Sequence, residues 1–107
     1  MSKIAILVHG GAWGTPAGEV EPHRDGVARA ARAGFGVLDR GGSSVDAVGD
    51  AVRLLEDDAT FNAGRGAVLN QAGEVELDAA IMEGSTLRAG AVASVQGIEH
   101  PLELARR

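Results

Sequence analysis

The sequence predicts an α+β fold, a helix layer packed on a mostly antiparallel sheet. Three observations predict it. Residues 24–57 place apolar side chains three and four apart, the repeat of a helix with one buried stripe. Beyond residue 67 the repeat drops to two, the alternation of a strand whose neighbours point to opposite faces. Sixteen glycines stand against only one Trp and two Phe in 107 residues, a composition suited to elements that approach closely.

Each element follows in order. KIAILVHG (3–10) is a continuous apolar run with β-branching, which predicts a buried strand ending at a glycine. Residues 10–22 hold Gly and Pro at short intervals and predict a loop. A first helix is predicted over 24–39, with Val27, Ala30, Ala31, Gly34, Val37 and Leu38 on its buried stripe and Arg24, Arg29, Arg32 and Asp39 facing out. Gly34 and Gly36 weaken it, and both are expected to admit a neighbouring backbone. Gly41 and Gly42 end it. Ser43 then caps a second helix with Asp46 three residues on, and Val45, Val48, Val52 and Leu55 make its stripe. AVLN, QAG and EVELDAAIM predict a hairpin: a strand over 67–70, a turn with Gly73, and a strand over 74–82. A further strand is predicted over 89–95, and Pro101 opens a last helix.

Composition excludes several functions. The net charge of −5, from 15 acidic and 10 basic residues, runs against a nucleic-acid-binding surface. Without cysteine there is no disulfide, thiolate metal site or thiol nucleophile. The run IAILV is too short to span a membrane, and a soluble, cytoplasmic, single partial domain is the expectation for 1–107.

Chemistry-bearing residues concentrate in FNAGRGAVLNQAGEVELDAAIMEG (61–84). A core has no need of Asn62, whose residue type is suited to a turn because it tolerates left-handed backbone. His9 could act as a base or simply end a strand; Gly10 and Gly11 could form a turn or admit a close neighbour. Glu74, Glu76 and Asp78 alternate on one strand face, where solvation or cross-strand pairing is the expectation over acid–base work. GRGAVLNQAG lacks the Lys-Ser/Thr pair of a phosphate loop.

In this order, HGGAW (9–13), GGSSVDAVGDAVRLLED (41–57), FNAGRGAVLN (61–70), EVELDAAIMEGSTLRAGAVASV (74–95) and HPLELARR (100–107) resemble the plant-type L-asparaginase, or isoaspartyl peptidase, family of N-terminal-nucleophile hydrolases. The resemblance implies an αββα four-layer sandwich. It implies a precursor that cuts itself before a threonine, and a dimer of αβ units when complete. It implies hydrolysis of the side-chain amide of asparagine or of β-aspartyl (isoaspartyl) peptides. The freed threonine is the nucleophile and its α-amine, with a pKa of about 7.7–8, the base.

This sequence departs from that pattern in one respect. Its only threonines are Thr15, Thr60 and Thr86, none within a run resembling that of the nucleophile. The resemblance therefore implies the N-terminal part of an α subunit, with no catalytic residue of its own and with the β subunit as its missing partner. Asn62, His9, Gly10 and Gly11 are implied to support the active site. Main-chain carbonyls of Leu55, Glu56, Asp58, Phe61, Ala63 and Arg65 are implied to wrap a sodium ion, with no other cofactor. The alternative is a non-catalytic scaffold or binding module derived from the same fold.

Overall fold

The computed structural model describes residues 3–107. A short 3-10 turn, Ala17–Glu19, leads into α1 (Val20–Asp39); α2 (Ser44–Asp57), β1 (Leu77–Met82), β2 (Ala89–Val95) and α3 (Pro101–Arg106) follow. The class is α+β: helices with a two-stranded antiparallel sheet of order β1-β2.

α1 begins at Val20, earlier than the expected residue 24. Pro22 falls in the first turn, where a missing N–H costs no helical bond, so it does not delay the helix. The predicted cap of α2 forms: Ser43 Oγ accepts the Asp46 N–H at 3.0 Å. Asp46 itself turns to α3, where the hydrogen bond from Arg106, above all, holds its carboxyl below the ordinary value.

The buried face of α2 only partly follows the predicted stripe: of Val45, Val48, Val52 and Leu55, Leu55 alone is buried. Ala47, Ala51 and Leu55 are buried, four apart, while Val48 is 37% exposed. Gly34 explains the choice. A β-carbon there would lie 2.9 Å from the Ala47 carbonyl oxygen and 3.4 Å from the Ala51 methyl, so α1 and α2 meet at their small residues. Gly36 meets nothing but the flexible end of Arg40, at 3.2 Å. Gly36→Ala is therefore expected to be neutral or to raise stability by up to about 1 kcal/mol, and Gly34→Ala to lower it by about 1–3 kcal/mol. Denaturant midpoints check both, and equal shifts would show that the helices do not meet at Gly34.

The core joins α1, α2 and the loop after α2: Ala30, Ala51, Leu55 and Phe61 are buried, with Ile6, Val8, Val27 and Ala63 against them. Residues 3–10 alternate as a strand does, Ile6 and Val8 toward the helices and Leu7 outward at 94% exposure. They form no ladder, so the predicted buried strand is corrected to an extended segment covered on one face. Among the described residues the one sheet is β1-β2, and this segment is not part of it.

The predicted hairpin is likewise corrected. Its turn forms: Gly73 has φ 77° and donates to the Asn70 carbonyl, while Asn70 Oδ1 accepts the Ala72 and Glu74 N–H groups at 2.9 Å each. Residues 67–70 are not a strand: Asn70 donates across the turn to the Glu74 carbonyl at 2.8 Å, but the donors at the start of the run go elsewhere. The Ala67 N–H is taken by the Gly64 carbonyl and the Val68 N–H by Asn62 Oδ1. The following strand consequently starts at Leu77, not at 74.

β1 and β2 pair from Met82↔Ala89 back to Leu77↔Val95. Between Leu77 and Ala79 the partner strand carries one extra residue; Ser94 takes a left-handed φ of 53° there, and its N–H is held by Asp78 Oδ1 at 2.7 Å. Leu77, Ala79 and Ile81 face α3, which buries Leu102 and Ala105. The opposite face, with Ala80, Met82, Ala91 and Ala93, is bare. No helix is long and apolar enough to cross a membrane among the described residues.

Candidate active site

One cleft of about 650 Å³ brings together His9, Gly10, Gly11 and Asn62. Two loops supply them: one runs from the extended segment 3–10, the other leaves the C-terminus of α2. Sequence reading did not find the cleft's remaining polar and aromatic lining, Trp13, Glu19, Thr60 and His23. The signal for His23 was present. It continues the stripe His23, Val27, Ala30 once the helix is started at Val20 rather than beyond the proline.

Phe61 bolts the two loops to the helices. It is 3% exposed. A β-carbon at Gly10 would stand 2.8 Å from its ring, and one at Gly26 of α1 would stand 2.6 Å from Cζ. These two glycines, one in each wall, are the slot in which the ring lies.

Asn62 follows immediately. Its Oδ1 accepts the Val68 N–H at 3.0 Å, which closes the loop across six residues. The side-chain oxygen is thus engaged, and the amide nitrogen holds two donors for a ligand. His9 is exposed, and its Nδ1 accepts the Gly11 N–H at 3.3 Å. Gly11 has φ 114°, a conformation few side chains tolerate, so this turn requires glycine.

The loop after α2 curls back over its own carbonyls. The Arg65 N–H donates to the Glu56 carbonyl at 2.8 Å and the Phe61 N–H to that of Asp58 at 3.2 Å. A β-carbon at Gly64 would lie 2.6 Å from the Glu56 oxygen; one at Gly66 would meet the carbonyls of Ala59 and Phe61. Glycine at 64 and 66 is what lets the loop backbone lie this close to those oxygens. Burial pushes the Asp58 carboxyl up, but the Thr60 backbone and hydroxyl, with Arg29 at 2.9 Å, outweigh it and leave the group below its ordinary value.

The alternating carboxylates are paired across the chain or solvated, as expected, and do not gather for acid–base work. Glu74 bonds Gln96 at 2.9 Å, Asp78 holds the bulge, and Glu76 is exposed. Among the described residues no group of three His, Asp or Glu could hold a metal ion.

Glu56 is the buried acid. It is 3% exposed, and its Oε2 has no hydrogen-bond partner, lying 3.7 Å from His100 Nδ1. Burial, above all, raises its carboxyl above the ordinary 4.5, against the pull of His100 and the Leu102 N–H. A raised value means the folded state holds the proton more tightly. Stability from Glu56 is therefore full below about 4.5 and is lost as pH rises through the raised value. Glu56→Gln, which stays neutral, is expected to gain on wild type as pH rises from 4 to 7. Melting curves across that range check it, and a constant difference would show that Glu56 titrates normally.

The class of the protein is settled by comparison. The asparaginase family model matches residues 2–107, and the chain belongs to that family. Over 106 residues it is 54% identical to the Homo sapiens isoaspartyl peptidase/L-asparaginase, covering 99% of this chain and 34% of that protein. Its identity to the Danio rerio isoaspartyl peptidase/L-asparaginase is 54% over 101 residues, 94% of this chain and 33% of the relative. A plant-type L-asparaginase of Pyrococcus abyssi is 49% identical over 105 residues, 97% and 34% of the two chains. The chain thus spans about a third of the length of these curated relatives.

Proposed function

We propose that this chain is the N-terminal part of the α subunit of a self-cleaving threonine hydrolase acting on asparagine, on β-aspartyl peptides, or on both. What supports the reading is identity of about half over nearly the whole chain to relatives bearing those two names. The cleft that gathers His9, Gly10, Gly11 and Asn62 is consistent with it. The nucleophile and its amine base then lie in the remaining two-thirds. Asn62 would present its amide donors to the reacting carbonyl or its oxyanion, and the glycine loop would admit the threonine closely.

The bare face of β1 and β2 supports a second sheet packing there, the inner pair of an αββα sandwich. A dimer of αβ units goes with that reading. A sodium ion held by main-chain carbonyls of Leu55, Glu56, Asp58, Phe61, Ala63 and Arg65 goes with the same reading: they are hard oxygen donors, and those of Glu56 and Asp58, which each accept one N–H, keep a second lone pair. Its contribution would be to fix the backbone just before Asn62.

Expression of the chain to the length of its relatives tests the reading. The longer protein is expected to cut itself before a threonine and to release ammonia from asparagine or split β-aspartyl dipeptides, and residues 1–107 alone to do neither. A bulkier monovalent ion in place of sodium is expected to lower that activity. An intact, inactive long chain would favour a non-catalytic scaffold instead. Turnover by residues 1–107, abolished by Thr15→Ala, would place the nucleophile in this segment.

A further inference from the structure

His23 stands where the two cleft loops meet, yet no chemistry described above uses it. Its half-buried ring makes two edge-on contacts: with Trp13, at 5.9 Å between centroids and 61°, and with Phe61, at 5.3 Å and 77°. Trp13 belongs to the loop that carries Gly10 and Gly11, and Phe61 precedes Asn62. Nδ1 lies 2.7 Å from the Glu19 carbonyl. A carbonyl only accepts, so Nδ1 carries the proton, and this bond sets the ring plane one turn back along the helix.

We propose that His23 is a positioning residue for Asn62, acting through Phe61. Gly10 and Gly26 wall the Phe61 ring on one side each and leave no room for a methyl. His23 closes the side toward the cleft, which it lines together with Phe61 and Asn62. With that wall gone the ring has an open direction, and the residue after it moves with it. The reaction is sensitive to such movement, because displacement of a reacting group by about 1 Å can cost about a hundredfold in rate. Trp13, 57% exposed, rests on the His23 ring, so His23 also ties the glycine loop to the Asn62 loop. The proposal rests on the reading that Asn62 works beside the nucleophile.

The test uses the full-length protein with His23→Ala, His23→Phe and His23→Gln, and Asn62→Ala as reference. Turnover is counted per self-cleaved site, so that loss of folded protein does not enter. His23→Ala is expected to lower kcat about tenfold and change KM less than about twofold. His23→Phe keeps the ring contacts without the Glu19 bond and is expected to recover most of the loss; His23→Gln has no ring and is expected to stay low. Wild-type kcat in His23→Ala, or recovery by Gln and not by Phe, would overturn the proposal. Should His23→Ala fail to fold, the order of Phe and Gln still decides it. If Asn62→Ala is impaired while His23→Ala is not, only the role of His23 falls. If Asn62→Ala turns over like wild type, the reading of the site falls, and this proposal with it.

Discussion

Phe61→Ala is expected to cost about 3–5 kcal/mol of stability, the range for removing a buried aromatic ring from a packed core. The ring is 3% exposed and fills the slot between Gly10 and Gly26. A native protein holds only about 5–15 kcal/mol in all, so the loss is a large fraction of the total. A second substitution separates ring loss from general weakening. Gly26→Ala alone puts a methyl 2.6 Å from Cζ and should cost about 1–3 kcal/mol. With Phe61→Ala the same methyl enters vacated space, so the two costs should not add. Urea midpoints of the two single variants and the double variant of the full-length protein measure the coupling. Additive costs would show that Phe61 is not held between those glycines.

Asn62→Ala is expected to lower self-cleavage and turnover about a hundredfold, the scale on which one oxyanion donor is lost, while the fold persists. The structural loss is small: one hydrogen bond to the Val68 N–H at an exposed position, about 0.5–1.5 kcal/mol. Asn62→Asp distinguishes the two duties of the side chain. It keeps an acceptor for Val68 and loses the amide donors, so a donor role predicts failure in both variants. A loop-bracing role predicts that Asp works. If Asn62→Ala matures and turns over like wild type, the 61–66 loop is a connector.

The helices were legible because their causes are local. Ser43 and Asp46 are three residues apart, and the cap they form needs nothing from outside the segment. The family resemblance was equally legible, since a run such as FNAGRGAVLN carries its meaning in its order; the match over residues 2–107 agrees with it. The buried stripe of α2 was partly misread because periodicity favours the larger side chains. Ala47 and Ala51 are buried instead, since Gly34 lets the opposite backbone come to them.

By itself, then, the sequence determined what local chemistry determines: two helices and the Ser43 cap of the second, the Asn70–Gly73 turn, the alternation of β1, and membership of the asparaginase family. Only the folded structure decided where the donors of Ala67 and Val68 go and which wall each glycine serves. A strand exists only when a partner takes its N–H groups, and here Gly64 and Asn62 take those of Ala67 and Val68. The placing of His23 against Phe61, 38 positions further along the chain, is of the same kind: contacts between distant segments depend on the packing of both, and no local pattern encodes them.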